Sequence, residues 1–120
     1  LNIAIKPHPN QTFISKKTVN KLKEQYKNLN WIDEKTSNNS LFLSGIKFGI
    51  SIHGTILAEL AYKNLLPLCC GENPTINYNF TFKANSKEEY KNLILNHQKL
   101  KFDKNKMNEI GEFMFMNYLN

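Results

Sequence analysis

Apolar and polar positions along this chain follow first a strand-like and then a helix-like period, and the changes of period mark its elements. Leu1 to Lys6 reads as a short buried strand, stopped by Pro7 and Pro9. Val19, Leu22, Tyr26 and Leu29 then recur at helical spacing among lysines, which predicts an amphipathic helix from about Ser15 to Leu29. Trp31 and Ile32 predict a brief strand, closed by the polar stretch from Asp33 to Asn39. Ser40 to Ser44 predicts a short helical turn ending at Gly45.

Phe48, Ile50 and Ile52 alternate in a strand from Lys47 to Ile52 that runs directly into His53-Gly54-Thr55. Ile56, Leu57, Leu60, Ala61 and Tyr62 then predict a well-buried helix ending at Asn64, a residue tolerant of the left-handed C-terminal position. Leu65 to Cys70 is a continuous apolar run of the kind found inside parallel sheets. Gly71-Glu72-Asn73-Pro74 is a loop, and Ile76 to Phe82 an irregular or short extended segment. Ser86-Lys87-Glu88-Glu89 has the spacing of a capping box, opening a helix with Tyr90, Leu93, Ile94 and His97 on one face. A last helix, rich in Met and Phe, is predicted from about Lys104 to Tyr118; Gly111 inside it implies close packing against a neighbour. An exposed apolar face on this helix would promote self-association. The alternation of strands and helices predicts an α/β, Rossmann-like three-layer sandwich with a mainly parallel sheet and a C-terminal helix, forming one domain over residues 1–120.

Composition narrows the partners. The net charge is +6, and all 16 basic residues are Lys. An electropositive surface attracts phosphates, nucleic acid or anionic lipid. Here the lysines are spread along the chain beside abundant Asn, and the absence of Arg removes the bidentate forks that read guanine and clamp phosphate. No nucleic-acid partner is therefore expected. Cys69 and Cys70 are adjacent, a spacing that strains a disulfide, and they read as small buried hydrophobes in a reducing compartment. With no basic and apolar leader and no run near the roughly 18 apolar residues of a membrane span, a cytoplasmic location is expected. A chain that opens in a strand without Met reads as a segment of a longer protein, with an N-terminal partner domain elsewhere.

Ligands of open parallel sheets bind beyond the carboxyl ends of the strands. Two segments follow strands in that way. In His53-Gly54-Thr55, the glycine lets backbone approach a ligand, and the helix start offers free N–H groups to an anion. Thr55 can cap that helix or bond a phosphate oxygen, His53 can donate to the same phosphate, and Glu59, one turn on, can accept ribose hydroxyls. In Lys6-Pro7-His8-Pro9, two prolines stiffen a loop that holds an imidazole beside an ammonium, a pairing suited to a diphosphate. Each segment alone also fits a purely structural role: a tight turn, a cap, a solvated histidine. No three-ligand metal spacing, P-loop or nucleophile elbow is present in the sequence. His97 reads as structural, and Asp103, Glu88 and Glu89 as solvated helix-start charges.

The succession Lys6-Pro7-His8-Pro9, His53-Gly54-Thr55 with Glu59, Pro67, and Gly71-Glu72-Asn73-Pro74 resembles the C-terminal donor-binding domain of GT-B glycosyltransferases. The likeness spans about residues 1 to 100 and is nearest to bacterial capsule and surface-polysaccharide transferases with a His-Pro motif, such as sialic-acid, Kdo and glycerophosphate transferases. It implies that His8, Gly54 and Thr55 bind the donor phosphate, with His53 a further phosphate-side contact, and that Glu59 binds the ribose. The donor would be a CMP-, CDP- or UDP-linked sugar, with no further cofactor or metal. The acceptor and the general base would belong to the N-terminal domain, and the inner face of the cytoplasmic membrane would be a partner surface. The chain departs from the pattern in carrying Asn64 where a Gly is usual, and in having no Arg for a diphosphate clamp, a role left to Lys6. A nucleotide-sugar epimerase domain of the same architecture, or a non-catalytic α/β module whose lysines serve a partner, are the alternative readings.

Overall fold

Thr12 sets the start of the first helix: its backbone is extended (φ −68°, ψ 163°) and its Oγ1 accepts the Ser15 N–H at 3.2 Å. In this computed structural model, which describes residues 1–119, α1 therefore runs Phe13–Gln25, opening two residues before the apolar periodicity predicts. The chain divides into two units, Leu1–Ser40 and Leu41–Asn120.

In the first unit, β1 (Ala4–Ile5) pairs in parallel with β2 (Asn30–Trp31), Ala4 opposite Asn30, and the Ile32 N–H donates to the Ile5 carbonyl at 2.8 Å. The expected buried strand from Leu1 to Lys6 is thus cut to two residues, and Leu1 and Ile3 are exposed. A ladder with one partner strand covers only one edge of β1. The Trp31 indole N–H donates to the Tyr26 carbonyl at 3.1 Å, tying β2 to the end of α1. Val19, Leu22, Tyr26 and Leu29, the predicted apolar stripe, face Ile5, Pro7 and Trp31 across a cavity of about 340 Å³.

α2 (Asn38–Leu43) leads into the second unit, where Gly45 (φ +87°) reverses the chain. There β3 (Phe48–Ile50), β4 (Leu66–Cys69) and β5 (Phe82–Lys83) form a parallel sheet in the order β3-β4-β5, with Gly49 beside Pro67 and Cys69 beside Lys83. All strand pairing in the described residues is parallel, in these two ladders. The fold is α/β. α3 (Ile56–Tyr62) buries Leu57, Ala58, Leu60 and Ala61, and Asn64 after it takes the left-handed conformation expected of it (φ +62°).

Alternation along the strands sends Gly49, Pro67 and Cys69 toward α3, and Phe48 and Cys70 the other way. A Cβ on Gly49 would lie 2.5 Å from a Leu60 methyl, so α3 rests directly on the β3 backbone. On the opposite face the Phe48 ring meets His97 at a tilt (4.7 Å between centroids, 47° between planes), in the turn that follows α4 (Lys87–Leu95). Tyr90 of α4 lies near the Cys70 side chain on this face. Helices thus cover both faces of this sheet, a three-layer arrangement within the unit. α5 (Lys106–Met114) packs on α3 through Ile110 and Phe113, which join Ala58, Ala61 and Phe80 in the main core. Beyond it the chain continues as a π-helical segment, Phe115–Leu119, and Phe115, Met116 and Tyr118 stand exposed.

The glycine expected to mark close packing in the last helix does not do so. A Cβ on Gly111 would meet nothing within 4 Å, and the close-approach glycine is Gly49. Gly111 therefore carries only the helix cost of glycine. Gly111→Ala is expected to raise the free energy of unfolding by about 1 kcal/mol, measured by urea denaturation; an unchanged or lower value would contradict this placement.

Candidate functional site at the carboxyl edge of the parallel sheet

Because β3, β4 and β5 are parallel, the segments that leave their carboxyl ends, 51–55, 70–75 and 84–86, gather at one edge. The first two are fastened together. The Asn73 side chain donates through Nδ2 to the Ile52 carbonyl at 2.9 Å, and its Oδ1 accepts the Thr75 N–H and the Thr75 hydroxyl, each at 3.0 Å. Thr81 continues the chain by donating to Thr75 Oγ1 at 3.0 Å. Asn73, Thr75 and Thr81 are all buried, so this polar network is internal to the edge. Gly71 lies against Ile52 closely enough that a Cβ would come within 3.1 Å of its methyl.

On this frame sits the β3–α3 turn. The Ser51 hydroxyl donates to the His53 carbonyl at 2.7 Å, and Gly54 turns the chain at φ +91°. That conformation is strained for any residue with a Cβ. The space beside Gly54 is open, with nothing within 4 Å of where a Cβ would stand. His53 and Gly54 are exposed and Thr55 half-buried. Thr55 occupies the N-cap position, and of the two roles open to it the cap is not made: its side chain has no capping bond. Its backbone is already helical (φ −91°, ψ −3°), whereas a capping side chain needs extended backbone to reach back to N2 or N3. The Thr55 hydroxyl is thereby left available. The carbonyl of Thr55 accepts the N–H groups of Ala58 and Glu59, and the N–H groups of Ile56 and Leu57 have no intrahelical acceptor. Glu59 follows on α3, half-buried, one turn from Thr55. Leu57 is fully buried, so an exposed imidazole, a free hydroxyl, the Ile56 N–H and an open glycine form the arrangement that can receive an anionic oxygen.

The third segment brings the start of α4 to the same edge. Ser86 caps it, its Oγ accepting the Glu89 N–H at 3.1 Å. The return bond of the expected capping box falls one residue early: Glu89 accepts the Asn85 N–H, at 2.6 Å, rather than that of Ser86. Burial first, and then the neighbouring Cys70, push the Tyr90 hydroxyl above its ordinary ionisation range. On β5, burial holds Lys83 below the usual lysine range, opposed by the nearby Cys69 and Glu109. Glu109 accepts the Asn79 N–H through Oε1 at 3.3 Å and keeps Oε2 buried without a partner. Neither Lys83 nor Glu109 has a role legible in the sequence, because only the packing of α5 brings Glu109 near β5.

Lys6 and His8 belong to the first unit. Pro7 is buried and His8 exposed, so the proline anchors the loop that presents the imidazole. The Asn10 N–H donates to His8 Nδ1 at 3.0 Å, which makes Nδ1 the acceptor nitrogen and leaves Nε2–H as an outward donor in the neutral ring. Lys6 Nζ donates to Asn38 Oδ1 at 3.3 Å, one of its three available bonds. None of the six candidate residues lines the apolar cavity of this unit. His97 is structural as expected, set against Phe48 with Nδ1 at 2.8 Å from the Ile94 carbonyl. Among the described residues, no group of three or more His, Cys, Asp or Glu side chains could hold a metal ion, and no helix is long and apolar enough to cross a membrane. No family model, curated protein or solved structure matches the chain.

Proposed function

We propose that this chain is the donor-nucleotide-binding domain of a GT-B-type transferase that moves a sugar or polyol phosphate in surface-polysaccharide synthesis. The observation that supports it most is the β3–α3 turn: an open glycine at φ +91° over a helix start with the free Ile56 N–H, braced by the Asn73 network. In this reading Gly54 admits the donor phosphate close to backbone, and the Thr55 hydroxyl and His53 donate to its oxygens. Glu59 accepts the ribose hydroxyls. On the first unit, the family resemblance gives Lys6 and His8 a phosphate role as well, His8 through its Nε2–H. The donors of the β3–α3 turn stabilise the departing nucleotide phosphate, and the group that activates the acceptor lies on another domain. The reading places the protein in the cytoplasm, at the periphery of the membrane where such polymers are made.

Calorimetric titration with CMP, CDP, UDP and GDP tests it. Saturable binding of one nucleotide class is expected, weakened about tenfold in Thr55→Val and His8→Ala, the loss typical of one hydrogen bond to a charged group. Glu59→Ala is expected to weaken ribonucleotides more than their 2′-deoxy forms. Binding unchanged in His8→Ala but lost in Thr55→Val removes His8 from the site. No binding of any nucleotide rejects the donor reading.

A further inference from the structure

We infer that the outward face of α1 is a docking surface for an anionic lipid bilayer. The inference deepens the membrane-peripheral part of the donor reading by naming the surface and the lipid charge, and its observations are independent of the donor site. α1 uses Val19, Leu22 and Tyr26 inside its own unit, against Ile5 and Trp31. Phe13 and Ile14 take no part in that packing; they are 83% and 76% exposed at the first turn of the helix. Lys17 and Lys21 follow Phe13 at i+4 and i+8 and therefore share its face. Lys16 and Lys27 add to the charge, while Lys23 lies over the Trp31 ring at 5.9 Å; Lys16, Lys17, Lys21 and Lys27 are exposed, with Glu24 the one acidic residue between Thr12 and Leu29.

Two large apolar side chains side by side in water, collared by ammonium groups, match the two halves of a charged membrane surface. Hydrocarbon takes the rings and branches, and anionic headgroups take the lysines. Lysine suits this role because its long stem lets the charge stay at headgroup level while the helix sinks. A nucleic-acid strand would meet the lysines equally well but gives Ile14 nothing to bury against. The helix is rigidly presented: Thr12 caps it, and the Trp31 bond to the Tyr26 carbonyl ties its far end to β2.

The test is flotation of the chain with vesicles of phosphatidylcholine alone and of equimolar phosphatidylcholine and phosphatidylglycerol. Binding to the anionic vesicles only, weakened by salt, is expected. Phe13→Ser with Ile14→Ser is expected to weaken it at least about tenfold, from the apolar area withheld from the bilayer. Lys17→Glu with Lys21→Glu is expected to do the same, since each lysine near such a surface contributes roughly a severalfold gain. Both pairs are exposed, and an unchanged far-ultraviolet circular dichroism spectrum confirms the fold of each variant. No binding to anionic vesicles, equal binding to neutral ones, or a Phe13/Ile14 variant that binds like the parent overturns the inference. So does binding to polyuridylic acid that matches the vesicle affinity and ignores Phe13 and Ile14, which would make the patch a general polyanion site.

Discussion

Phe113→Ala is expected to lower the stability of the chain by about 4 kcal/mol. The ring is fully buried where α5 meets α3, among Ala58, Ala61, Phe80 and Ile110. It meets Tyr78 edge-on at 5.6 Å and Phe80 at 6.0 Å between centroids, contacts that add to the burial of its area. The neighbours on α3 are alanines, which have no side chain to swing into the space, so the cavity would stay open. A domain of this size is typically stable by only about 5–15 kcal/mol, so the variant should unfold at much lower urea with a similar dependence on urea. Phe115→Ala is the control: two residues on and half-exposed, it should change stability by less than about 0.5 kcal/mol. Similar losses in both would show that the core is not where the structure puts it.

Asn73→Ala is expected to cost about 3 kcal/mol and to loosen the site locally. The substitution removes the acceptor of the Thr75 N–H and of the Thr75 hydroxyl, both buried, and the donor to the Ile52 carbonyl. No water reaches Thr75, which is 0% exposed, so its N–H would be left without a partner. Because the lost bond to Ile52 crosses from one loop to the next, amide hydrogen exchange in residues 51–55 should quicken beyond what global unfolding explains. A variant with normal stability and normal exchange there would remove Asn73 as the brace of the edge. Asn73→Asp keeps the acceptor but not the donor, and would separate the two halves of the effect.

What was readable in the sequence, and what was not, follows from the range of the interactions involved. The α1 stripe, the apolar run of β4, the Ser86 cap and the left-handed Asn64 are local: period, propensity and turn chemistry act within a few residues. The start of α1 rests on an equally local signal, the Thr12 hydroxyl that accepts the Ser15 N–H, which the apolar period does not report. Which of its two roles Thr55 could take was not legible, because a threonine caps only when its backbone is extended, and the turn at Gly54 delivers Thr55 already helical.

The two glycines make the sharper case. Gly111 and Gly49 both interrupt an element, and a glycine in a strand signals close approach at least as well as one in a helix. Only the three-dimensional packing gives Leu60 to Gly49 and open space to Gly111. In the polar network the Asn73 bonds to Thr75 are local, two residues apart, whereas the bond from Asn73 to the Ile52 carbonyl spans 21 residues and forms only when the loops after β3 and β4 meet.

The sequence by itself therefore determined the α/β class, the parallel character of the strands and the segments that leave their carboxyl ends, since each is written in local patterning. The tertiary structure alone decided which strands share a sheet, which glycine bears a helix, and which buried polar groups brace the β3–α3 turn. Those outcomes depend on contacts between residues far apart in the chain, and no local pattern encodes how such surfaces meet.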